Sequence, residues 1–268
     1  MRFPRRELAL ALVCAGILMM EICLTKVFSI VLWYHFGFLA VSTALLGFAS
    51  SGVYLSLRPR LEGDEADAPI AWSAVLASLM TIGSLWLVTQ TSFDVYSLWQ
   101  DRNVGSLLAF VIWVTLPFFF LGMVVSRTLA AFPQRANIMY GADLIGSALG
   151  CFAAVALLNK NVSGQTMILL AAAVTAVGGV LFAGRRLVPQ IGAVVALAIP
   201  VAMHLLVHVD SFAPLKSPPS KPYYAIESMD KMRKLQKEAL LRRIRVGMKD
   251  GTTIECEVTD PYSTNADQ

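Results

Sequence analysis

Between Leu8 and Leu57 the chain is apolar at almost every position, and only Glu21, Lys26 and His35 are ionisable. About 20 apolar residues in a helix cross about 30 Å of hydrocarbon, so this run predicts two membrane-spanning helices. The same ruler predicts seven spans in all. They fall near Leu8–Ile30, Phe36–Leu57, Ile70–Val88, Val104–Val125, Ile138–Leu158, Gln165–Phe182 and Leu187–Val207. The third and sixth are the shortest. Arg2, Arg5 and Arg6 precede the first run as they would a secretory signal. A signal core spans only about 7–15 apolar residues, whereas this run continues past Glu21, so it reads as a retained helix.

The breaks between runs alternate in charge. Arg2, Arg5, Arg6, Arg58, Arg60, Arg127, Arg135, Arg185 and Arg186 fall on one side of the expected bundle, against Lys26, Arg102 and Lys160 on the other. Lys and Arg in short loops mark the cytoplasmic face. The pattern predicts a multi-pass membrane protein with its N-terminus in the cytoplasm. Seven spans would then place the C-terminal tail outside.

Beyond residue 209 the pattern changes. Pro214, Pro218, Pro219 and Pro222 make residues 210–223 an extended linker. Ile226, Met229, Met232, Leu235 and Ala239 then recur at helical spacing among Lys and Arg. Next, Ile244, Val246 and Met248 alternate with polar residues, Asp250-Gly251 follows, and Ile254, Cys256 and Val258 alternate again. That is the signature of a β-hairpin closed by a two-residue type I′ turn with Gly251 at a positive φ. The expected fold is thus an all-α integral membrane domain, residues 1–209, with a helix and hairpin tail over 224–268.

Composition agrees with the membrane reading: 56% of residues are hydrophobic and 15% charged. The net charge of +4 does not indicate a nucleic-acid partner, because the bases gather at membrane boundaries and in a tail whose acids nearly match them. Cys14, Cys23 and Cys151 lie in apolar helical surroundings and Cys256 stands alone, with no zinc or redox spacing. No nucleotide loop, metal box or nucleophile motif is visible, so neither a cofactor nor a catalytic residue is expected.

Ionisable residues at membrane depth are costly and mark the candidate sites. Glu21 lies about 20 Å into the first helix. Lys26, His35, His204 and His208 fall near the outer end. Either Glu21, His35, His204 and His208 assemble a proton, metal or substrate site, or Lys26 snorkels, the histidines mark the interface and Glu21 is a buried helix-packing contact. His204 and His208 share a helix face but lack a third ligand. Asp143 belongs to the inner half and is expected to pair with Arg127 across two helices. Gly146 and Gly150 form a small-xxx-small pair that invites another helix to approach closely. Pro117 is expected to kink the fourth helix.

Four segments carry a family resemblance. They are Glu21-Ile22-Cys23-Leu24-Thr25-Lys26-Val27-Phe28-Ser29, Leu32-Trp33-Tyr34-His35-Phe36, Pro117-Phe118-Phe119-Phe120-Leu121-Gly122, and the run from Tyr140 to Gly150. Together they resemble the multi-span N-terminal membrane domain of bacterial spermidine synthase-like proteins, a transporter-like half fused to an aminopropyltransferase. The likeness covers roughly residues 8–185. Family members commonly carry arginine at the position of Lys26. Their soluble half binds decarboxylated S-adenosylmethionine on a glycine-rich turn. Residues 210–268 contain no Gly-x-Gly-x-x-Gly, so the resemblance implies the membrane fold without the catalysis.

The leading functional expectation is a non-catalytic membrane scaffold or accessory subunit. Its tail would dock a partner through Ile244, Val246, Met248, Gly251, Ile254 and Val258. Beyond the lipid bilayer, its expected partners are other membrane subunits or a second copy of itself. One alternative is a half-transporter-like carrier of a small cationic solute such as a polyamine. Another is the membrane component of a split spermidine synthase-like enzyme.

Overall fold

Among the described residues of the computed structural model, seven helices are long and apolar enough to cross a membrane. They are α1 (Arg5–Val31), α2 (Gly37–Ser56), α3 (Asp67–Gln90), α4 (Val104–Ala131), α5 (Ala136–Asn159), α6 (Gly164–Ala183) and α7 (Leu187–Leu206). Short 3₁₀ turns at Gly63–Ala66 and Pro133–Arg135 lead into α3 and α5. The structure describes residues 5–31, 37–90, 104–160, 162–184, 186–206, 243–247 and 253–257. All seven expected spans are present, and α4 runs past the expected Val125 to Ala131. It also continues through Pro117 as one helix.

The chain divides into two compact units, residues 1–220 and 221–268. In the first, α1 is the axis: α6, α5 and α2 all pack on it. Leu10, Val13, Met20, Cys23, Leu24, Val27 and Phe28 are fully enclosed there. α3 packs on α6 and α4, α2 lies against α4, and α7 covers α6.

Small residues set these distances. A Cβ on Gly146 would stand 2.6 Å from the Cα of Ala11, and one on Gly150 would stand 2.7 Å from the Cα of Ala15. The expected small-xxx-small pair is therefore the seam that seats α5 on α1. The α2–α4 contact is as close: a Cβ on Gly47 would lie 2.6 Å from the Cβ of Phe118. Lipid tails are as apolar as the helix faces, so such backbone approach, not hydrophobic burial, drives association in a bilayer.

The two spans that look weakest in sequence are interior helices. α3 buries Ser73, Ser78, Thr81, Ser84 and Thr89. Ser73 and Thr81 donate back to the carbonyls of Pro69 and Ala77, one turn earlier. Ser78 instead reaches across, donating to Ala172 O on α6 at 3.0 Å and lying 3.4 Å from Ala196 O on α7. α6 buries Ala171, Ala172, Thr175, Ala176, Gly178 and Gly179. Outward, Phe38, Leu45, Ile112, Leu149, Phe152, Leu187 and Ile191 are exposed, as a helix surface bathed in acyl chains requires.

In the second unit β1 (Arg243–Gly247) and β2 (Thr253–Glu257) pair antiparallel. The register sets Ile244 opposite Cys256 and Val246 opposite Ile254. It also sets Gly247 opposite Thr253, which leaves an odd number of residues between the strands. A two-residue Asp250-Gly251 turn would pair Met248 with Thr253 instead, so that turn is corrected. The hydrophobic pattern explains the difference, because the two-residue register would set Ile244 and Val246 against Glu257 and Glu255. Met248, Gly251, Val258 and the expected helix at 226–241 lie outside the described residues.

Candidate functional site

Among the described residues no hydrogen bond or ion pair joins the side chains of Glu21, Lys26 and His204. Glu21 and Lys26 are both half-buried on α1. The Glu21 carbonyl accepts the hydroxyl proton of Thr25 at 2.9 Å, a contact within the helix. His204 is exposed in the last turn of α7, while His35 and His208 lie outside the described residues. No group of three or more His, Cys, Asp or Glu among the described residues is placed to hold a metal ion.

Asp143 and Arg127 are not partners. Among the described residues no ion pair joins them. The Asp143 carboxylate faces the thiol of Cys14 on α1 and lies 3.4 Å from the Ser147 hydroxyl one turn along α5. Arg127 has Tyr54 and Arg58 as its electrostatic neighbours. The architecture explains the correction: α5 is seated on α1 and touches α4 only slightly. An acid on α5 therefore meets α1 first.

The strongest electrostatics lie at the end of the bundle that holds the N-terminus of α1. Arg6 donates two hydrogen bonds to Asp67 at the start of α3, Nε to Oδ1 at 2.9 Å and Nη2 to Oδ2 at 2.7 Å. Arg6 also pairs with Asp64, and Arg5 reaches Asp67 at 3.3 Å. The Arg6 guanidinium stands 4.4 Å over the ring of Phe132, which follows α4. Arg186, ahead of α7, donates to the Asp64 carbonyl at 2.8 Å. Arg135, ahead of α5, brings Nη2 within 2.7 Å of the Glu7 Oε1. That last contact is an ion pair by distance, although its angles do not make it a hydrogen bond.

This network ties the starts of α1, α3, α5 and α7 together. Asp67 suits its place twice over, since a carboxylate in a first helical turn also meets the positive end of the helix dipole. Arg5 sits close against Gly184, whose φ of 59° ends α6. Every acid in the network is paired with arginine, so the cluster acts as a clasp. Sequence reading treats these arginines as orientation signals alone and passes over Glu7, Asp64 and Asp67. Their placement beside arginines at span ends was the available clue.

No family model matches the chain, and neither a curated protein nor a solved structure matches it.

Proposed function

We propose that the chain is a non-catalytic scaffold or accessory subunit of the bacterial inner membrane, with its N-terminus cytoplasmic and its C-terminal tail docking a partner protein. One observation carries the reading. β1 and β2 form a two-stranded sheet with no third strand among the described residues. A lone hairpin is marginal in water, and its outer N–H and C=O groups can pair with a strand of another protein.

Co-purification from mild detergent tests this. The full chain should carry a partner in a fixed ratio, and a chain lacking residues 224–268 should lose it while still inserting. Retention of the partner by the shortened chain would overturn the docking role. If the partner recovered is a soluble aminopropyltransferase, the split-enzyme form of the spermidine synthase-like reading follows.

Half-buried Glu21 within α1 favours a second reading, a carrier for a small cation such as a polyamine. Seven helices make about half of a two-repeat carrier, so this reading requires a dimer. Spermidine uptake into proteoliposomes that is unchanged by Glu21→Gln would count decisively against it.

A further inference from the structure

The arginines at the clasped end fall into two groups. Arg5, Arg6, Arg135 and Arg186 have carboxylate or carbonyl partners. Arg58, Arg60 and Arg127 have none among the described residues. These three line a common cavity of about 540 Å³, between the end of α2, residues 58–61, the start of α3 and the last turns of α4. Tyr54, Ser56 and Ser126 add polar groups to the wall, and no described lining residue is acidic. Glu62 and Glu65, though close in sequence, are exposed and outside the lining.

Arg127 is the informative member. It is half-buried, it lies within an apolar span, and its charged neighbour is another arginine, Arg58. Arg58 is itself stacked on Tyr54 at 5.1 Å. Like charges gathered without a carboxylate at a half-buried position are costly unless an anion completes the site. Guanidinium forks match phosphate oxygens, and hydroxyls at Tyr54 and Ser126 can donate to the same group. The remaining wall is apolar, with Leu55, Leu61, Pro69 and Ala130. Leu57, beside the cavity in sequence, is 80% exposed.

We propose that this cavity binds a phosphate-bearing anion. On the membrane-spanning reading it lies at a bilayer surface, where anionic phospholipid headgroups and free phosphate are the two available sources. Basic pockets between helix ends are suited to such headgroups. The apolar wall and exposed Leu57 would flank the attached chain.

The test uses the full chain in a non-ionic detergent. It is titrated separately with short-chain phosphatidylglycerol, short-chain phosphatidylcholine and inorganic phosphate, and the thermal unfolding midpoint is followed. Phosphatidylglycerol should raise the midpoint and phosphatidylcholine should not. The variants R58Q and R127Q together should weaken the phosphatidylglycerol effect about tenfold, while K160Q, at the exposed C-terminal cap of α5, should leave it unchanged. R58Q alone should weaken it in the same direction, and because Arg58 is exposed its midpoint without lipid should stay close to that of the native chain, which separates lost binding from lost folding. A midpoint raised by phosphate alone and lost in R58Q would support the anion site and name free phosphate as its source. Equal shifts with both lipids, or variants that respond as the native chain does, would overturn the proposal.

Discussion

Arg6 holds Asp67 in a two-pronged ion pair that joins the start of α1 to the start of α3. The Asp67 side chain is 9% exposed and the Arg6 side chain 22%, so neither charge is well solvated alone. Removing one partner leaves the other buried without its countercharge, which is the expensive way to break such a pair. Asp67→Asn should therefore cost about 2–3 kcal/mol, less than for a fully buried pair because Arg6 keeps Asp64. Arg6→Lys keeps the charge but loses the fork, and should cost about 1 kcal/mol. Unfolding of both variants in detergent checks this. Native stability in Asp67→Asn would show that the clasp is incidental.

The α1–α5 seam has an internal control. Gly146 and Gly150 face Ala11 and Ala15 with no room for a methyl group, whereas nothing lies within 4 Å of a Cβ on Gly141. Gly150→Val should destabilise the bundle by about 1–3 kcal/mol through overpacking against backbone. Gly141→Ala, on the same helix, should be neutral or slightly stabilising. Equal responses at the two positions would mean that α5 does not rest on α1 through this seam.

The membrane architecture was legible because the bilayer demands long apolar helices, and that demand is written residue by residue into Leu8–Leu57 and the runs that follow. Gly146 and Gly150 were legible for a related reason, since a pair of glycines four apart marks one face of one helix. What could not be read was which helix lies against which. The Asp143–Arg127 pairing assumed that sequence neighbours α4 and α5 pack together, yet α5 sits on α1. α3 and α6 looked short, yet both are interior helices, where buried hydroxyls and glycines suit close packing. In the hairpin the two-residue Asp250-Gly251 turn gave way to the strand pattern, whose alternating apolar positions pair as Ile244 with Cys256 and Val246 with Ile254.

Ser78 links three helices through one hydroxyl, with the carbonyls of Ala172 and Ala196 at 3.0 Å and 3.4 Å. Such interhelical hydrogen bonds average about 0.6 kcal/mol in membranes, because the separated helices also find partners. Ser78→Ala should cost about that much, and Ser78→Val considerably more by adding bulk where α3, α6 and α7 meet. Ser84, which donates within α3 to Thr81 at 2.9 Å, is the comparison. If Ser84→Ala costs more than Ser78→Ala, the bridge contributes nothing beyond helix-internal bonding.

The separation of Asp143 from Arg127 can be measured directly. Residues without shared partners lose stability additively to within about 0.5 kcal/mol. Asp143→Asn combined with Arg127→Gln should therefore show no coupling beyond that margin. Cys14→Ala combined with Asp143→Asn should depart from additivity, because the thiol and the carboxylate face one another across the α1–α5 seam. Both cycles are read from the same detergent unfolding midpoints, so a shared systematic error cancels between them. Strong coupling in the first cycle and none in the second would mean that α5 packs toward α4, reversing the helix order around α1.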